Sequence, residues 1–165
     1  MSNYCSSWID YEYKFFYQGA QKSGLRINYD SKINEELKME LRTYINFLRK
    51  RYYFPIRCYV HIKNVPYYSS KRKKRCYGVF FSAEENRSKL PSIYLAAKLS
   101  NKNEIEDILY NLTRLLTYYF QWFFFSTEKR TNRSLETEAT RYANYLTSEF
   151  LINNIMSNKN DNDGE

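Results

Sequence analysis

The feature that most constrains this chain is an apolar stripe in its C-terminal half. Ile105, Ile108, Leu109, Leu112, Leu115, Leu116, Tyr119, Phe120 and Phe123 recur at helical spacing without a break. Glu104, Glu106 and Asp107 open the segment, where acids favour the positive end of a helix dipole. Tyr118, Trp122 and Phe125 add apolar character on the other side, so the spacing predicts a helix covered on two faces. Such a helix needs partners in separate layers, and the rest of the chain must supply them.

Two further helices and a small sheet are legible. Leu37, Leu41, Tyr44, Ile45 and Leu48 share one helical face over 33–51, with Ser31 or Asn34 as its cap. Glu35 and Glu36 lie in its first turn, Arg49, Lys50 and Arg51 in its last, and Phe54-Pro55 ends it. After a polar loop at 126–133, Ser134 is the expected cap of a last helix that buries Leu135, Ala139, Tyr142, Ala143, Leu146 and Phe150. Between the first two helices, 56–62, 77–82 and 93–98 read as strands, with Ile56, Cys58, Val60 and Ile62 alternating on one face. The expectation is an α+β domain over 33–156 with a three-stranded sheet. An N-terminal arm over 1–32 precedes it, and a disordered polar tail over 157–165 follows.

Charge is concentrated. Eleven Lys or Arg residues and no acid fall between Leu41 and Ala83, although the formal net charge is only +8, so the remainder is net acidic. The peak is Lys71, Arg72, Lys73, Lys74 and Arg75, expected at the tip of a long hairpin joining 56–62 to 77–82. Five adjacent cations belong in solvent or against an anion, so the run is either a solvated loop or a patch for nucleic acid or an acidic partner. Three cysteines, Cys5, Cys58 and Cys76, make no disulfide framework and point to a reducing, cytoplasmic setting. The first residues mix acids and aromatics, unlike a secretory signal, and no apolar stretch reaches the ~18 residues of a membrane span.

Arg114–Trp122 reads RLLTYYFQW and Leu135–Leu146 reads LETEATRYANYL. Together they resemble the paired helices of zincin metallopeptidases, in particular the ImmA/IrrE-like and related phage-type families. There a helix with HExxH, often continued as HELxHYxQ, precedes one with E-x-E-A-x-x-[YF]-A. Thr117, Tyr119, Phe120 and Gln121 match the first continuation, and Glu136, Glu138, Ala139, Tyr142 and Ala143 match the second. The resemblance covers roughly 33–152 and implies a zincin-like fold.

It also implies a dead site. HExxH is replaced by Arg114-Leu115-Leu116-Thr117-Tyr118. A guanidinium cannot ligate zinc, leucine cannot take a proton from water, and tyrosine, with a reference pKa near ~10, is a poor substitute ligand. No catalytic residue, metal or cofactor is therefore expected. Without a metal, the matching glutamates face a cation, so Arg114 is expected to pair with Glu136 or Glu138.

What such a domain retains is a peptide-binding surface. In zincins an extended peptide adds to the edge strand above the active-site helix. Here that edge is expected at 93–98, with Ile93, Tyr94 and Trp122 beside Arg114, Tyr118 and Glu138. The expected function is a non-catalytic binding protein of a phage or mobile element. It would recognise a protein partner, such as a repressor or a host defence effector, as regulator or inhibitor. The alternative is nucleic-acid binding by the basic 41–83 region, which requires Arg42, Arg49, Arg51 and Lys63 to extend the 71–75 run as one surface. His61, the only histidine, is expected on the strand face opposite Cys58 as an ordinary strand residue. Tyr52-Tyr53 and Tyr67-Tyr68 either pack over the sheet or stack on bases. The oligomeric state is left open.

Overall fold

The computed structural model describes residues 24–69, 75–124 and 129–162. The elements are β1 (Leu25–Tyr29), α1 (Glu35–Arg51), β2 (Cys58–Lys63), β3 (Gly78–Phe81), β4 (Ser92–Ala96), α2 (Ile105–Phe123) and α3 (Asn132–Asn162). Over the described residues the chain is α+β, with three helices and a mixed four-stranded sheet in the order β1-β2-β4-β3. β1 pairs parallel to β2, β2 parallel to β4, and β3 antiparallel to β4.

Local chemistry explains the helices. In α1, Asn34 Oδ1 accepts from the backbone N–H of Glu36 (2.8 Å) and Leu37 (3.3 Å), which makes Asn34 the cap rather than Ser31. α2 opens with Glu104 N–H donating to Asp107 Oδ2 at 3.0 Å. α3 starts three residues earlier than a Ser134 cap implies: Ser134 N–H donates to Thr131 Oγ1 at 3.1 Å, so Thr131 is the cap. It also continues to Asn162, past Ser157, where a tail is expected from the sequence.

The core lies between the sheet and α1 and α2. Cys58, Val60, Ile62, Ile93 and Leu95 meet Leu37, Leu41, Ile108, Leu109 and Leu112, all of them buried. Tyr119 ties α2 to the chain ahead of β2, donating to Ile56 O at 2.7 Å and accepting from Ile56 N–H at 3.0 Å. α3 covers the other side of α2 through Ala139, Ala143 and Leu146, and Phe150 reaches Tyr44 of α1 edge-on at 4.8 Å. α2 is thus buried on two sides, as its sequence requires. Among the described residues no helix is long and apolar enough to cross a membrane.

Two expectations about the sheet are corrected, the second with a consequence for the cysteines. A fourth strand, β1, lies inside the stretch read as an arm; its LRINY sequence gains a strand's hydrogen bonds only from β2, far along the chain. Residues 56–62 and 77–82 form no hairpin, because β4 lies between β2 and β3. Cys58 and Cys76 are consequently not neighbours: Cys58 is in register with Leu25, while Cys76 bridges Tyr68. Both are free thiols.

Candidate functional site

Sheet topology determines which strand can receive a peptide. β4 is interior, so the strand expected at the edge is unavailable and β3 takes that role beside α2. Ile93 is buried in the core, and Tyr94 lies on the sheet face away from α2. Of the three residues assigned to a partner groove, only Trp122 stays near the new edge. Its ring lies 6.2 Å from Phe80, and its Nε1–H donates to Glu84 Oε2 at 2.9 Å.

The backbone phase of β3 follows from one bond. Ala96 N–H donates to Tyr77 O at 2.8 Å, so the odd residues of 77–81 pair with β4. Gly78 and Phe80 therefore direct their N–H and C=O groups away from β4. Farther back on the same outer side, Cys76 and Tyr68 exchange both backbone bonds, at 2.7 and 2.9 Å. That bridge caps one end of the edge and leaves Gly78 and Phe80 beyond it.

β3 rests directly on α2. A Cβ on Gly78 would lie 2.4 Å from Leu115 Cδ1 and 2.9 Å from the Tyr94 carbonyl oxygen. Only glycine permits this approach. The isolated glycine in YGVFF is the sequence signal for it, and the sequence reading did not use it. Leu115 is buried beneath the strand.

Beside Leu115, at the residue before it and three residues after it, polar side chains close on each other. Arg114 Nη2 meets Glu136 Oε2 at 2.5 Å, Tyr118 Oη donates to the same oxygen at 2.8 Å, and Arg114 Nη2 donates to Tyr118 Oη at 3.0 Å. The i, i+4 spacing puts Arg114 and Tyr118 on one stripe of α2, and the first turns of α3 deliver Glu136 to both. Burial pushes the Tyr118 phenol up to about 12, and its bond to Glu136 acts in the same direction. Burial works against the Arg114 charge, but Tyr118 and Glu136 outweigh it and hold the guanidinium firmly protonated.

Of the two expected glutamates, Glu136 makes the pair. Glu138 instead accepts from Gln121 Nε2 at 2.7 Å and from Arg130 Nη1 at 2.9 Å. The five degenerate-site residues thus split into a latch of Arg114, Tyr118 and Glu136, a filler in Leu115, and Glu138 in a separate clasp. These side chains do not fit a zinc ion: the stripe offers a cation and a neutral phenol, and the one carboxylate is already engaged. Among the described residues no cluster of three or more His, Cys, Asp or Glu could hold a metal. A cleft of about 190 Å³ opens beside the latch, lined among others by Arg75, Gly78, Asn111, Arg114, Leu115 and Tyr118.

Among the described residues, the cations of the basic region do not lie together on one surface. Arg42 lies over the Tyr29 ring at 5.7 Å, and Arg49 Nη2 donates to Leu25 O at 2.7 Å, both toward β1. Arg51 turns to Glu149 of α3, and Lys63 shares the sheet face of His61. Arg75 lies over the Tyr67 ring at 4.8 Å. Lys71, Arg72, Lys73 and Lys74 lie outside the described residues. His61 is on the face opposite Cys58, as the alternation of β2 requires.

Compared with models of protein families, with curated proteins and with solved structures, the chain matches none.

Proposed function

We propose that this chain is a non-catalytic, zincin-like binding protein that takes an extended segment of a protein partner along the outer edge of β3. The observation that carries the reading is the outward backbone of Gly78 and Phe80 beside α2; the Arg114–Tyr118–Glu136 latch next to it stands where the resemblance would put a zincin's metal. Strand addition gives affinity through main-chain hydrogen bonds and specificity through side-chain pockets. The nearby pocket is the cleft beside Arg75, Asn111 and Arg114, whose two guanidiniums favour an acidic side chain on the incoming strand. By its resemblance to phage-type zincins, the chain would act as a regulator or inhibitor carried by a phage or mobile element. Its partner would be a repressor or a host defence effector.

The test is selection from a displayed random-peptide library, followed by amide-exchange measurement on the chain with the selected peptide bound. The reading expects extended peptides enriched in Asp or Glu, with protection gained at the Gly78 and Phe80 amides. Failure to enrich any peptide, or protection confined to other elements, overturns it.

A further inference from the structure

The sheet has a second face, turned away from α1 and α2, and its composition is unusual for solvent. Register places Arg26 and Asn28 of β1, Tyr59, His61 and Lys63 of β2, Tyr94 of β4, and Val79 and Phe81 of β3 on this side. The rings form a continuous row across three strands. Tyr59 and His61 lie nearly parallel at 6.4 Å, His61 and Tyr94 stack at 4.6 Å, and Phe81 meets Tyr94 edge-on at 5.9 Å. Phe81 is 40% exposed, and Tyr59, His61 and Tyr94 are half-buried.

Cations flank the row. Arg26 is exposed on β1, and Lys63 closes the row on β2. Arg57, one residue ahead of β2 in the same alternation, has a buried Nε with no hydrogen-bond partner among the described residues. No acid projects from these positions. Asp30 follows β1 beside Lys63 and is occupied by the Lys32 backbone N–H at 3.1 Å, and Glu85 is occupied by the Ser82 backbone N–H at 2.9 Å.

We infer that this face binds single-stranded nucleic acid, stacking unpaired bases on the ends of the ring row, at Phe81 and Tyr59, while Arg26, Arg57 and Lys63 meet the phosphates. His61 and Tyr94 already stack on each other and support the row, whose outer rings offer π-faces to bases, and the flanking cations match the charge of the backbone. A duplex hides its base faces and cannot use the row. The site is distinct from the outer edge of β3 and does not rest on the peptide-binding reading. It also differs from the basic run, whose flanking arginines turn to other faces.

The test is fluorescence anisotropy of the full chain with labelled oligo-dT and oligo-U of about ten nucleotides, and with a duplex of the same length. Phe81→Ala is the first variant, because that ring is the most exposed; Tyr94→Leu is the second and preserves apolar bulk beneath the row. Each is expected to weaken single-strand binding by at least about tenfold. Arg26→Ala and Lys63→Ala are each expected to lower the salt slope by about one. Three results would overturn the inference. One is no saturable single-strand binding at low salt. Another is a duplex bound as tightly as the single strand. The third is affinity unchanged by both ring variants but abolished by neutralising Lys71–Arg75, which would give the binding to the basic run instead.

Discussion

Arg114 on α2 and Glu136 on α3 meet at 2.5 Å, and Tyr118 donates to the same carboxylate oxygen. A cation and a carboxylate thus join α2 to α3. Arg114 is 29% exposed and Glu136 43% exposed, so solvent screens the pair. Two hydrogen bonds converging on one oxygen still make it worth more than a surface bridge.

Arg114→Glu is therefore expected to destabilise the fold by about 1–2 kcal/mol more than Arg87→Glu, read as the shift in urea midpoint. Arg87 is exposed in the loop before β4 and makes a fair control. Arg130, which sequence alone presents as exposed, is not one, because it holds Glu138. Adding Glu136→Arg to the reversed variant should restore part of the loss. Equal effects at Arg114 and Arg87 would remove the latch from the account.

Gly78→Ala should cost about 1–3 kcal/mol through overpacking of β3 against α2. Leu115→Ala in the same chain should relieve only part of it, because the Tyr94 carbonyl contact is with backbone and remains. Full rescue would show that the Leu115 side chain alone sets the approach.

Tyr118 links the latch to pH. Its phenol is raised to about 12 in the folded chain, against a reference near ~10 when unfolded. Between those values the unfolded state loses the proton first, so stability falls as pH rises through the window. Tyr118→Phe should flatten that fall, measured by urea titration at pH 9, 10 and 11, while costing about 1 kcal/mol at neutral pH through the lost bond to Glu136. An unchanged alkaline slope would contradict the assignment. Tyr68, also raised to about 12, is the residue to replace as a comparison.

His61 titrates in the opposite sense. Burial, with a contribution from Lys63, lowers its affinity for a proton below the ordinary histidine value. The unfolded chain therefore binds the proton first on acidification, and His61 withdraws stability as pH falls below about 6.5. As the only histidine, its ring protons give one NMR titration, expected with a midpoint below 6.5. His61→Gln should remove that share of the melting-temperature decrease between pH 7 and 5.5. A midpoint at or above 6.5 would contradict the burial argument.

The sequence alone carried the helical layer. Apolar spacing within each helix is local, so Leu109 and Leu112, or Leu37 and Leu41, announce their buried face without knowledge of the partner. The alternation of β2 likewise separated His61 from Cys58. Arg114, Tyr118 and Glu136 were singled out differently, by the resemblance of RLLTYYFQW and LETEATRYANYL to a zincin helix pair. It could not choose Glu136 over Glu138, because that depends on how far α3 is rotated about its axis when Ala139 and Ala143 seat on α2. Strand order lay beyond it entirely. β1 exists only through bonds to β2, β4 is interior only because β3 folds back to its far side, and both facts come from pairings between distant segments. Tertiary structure thus moved the open edge from β4 to β3, fitted Gly78 over Leu115, turned Arg49 and Arg51 to different partners and gathered four rings onto one sheet face.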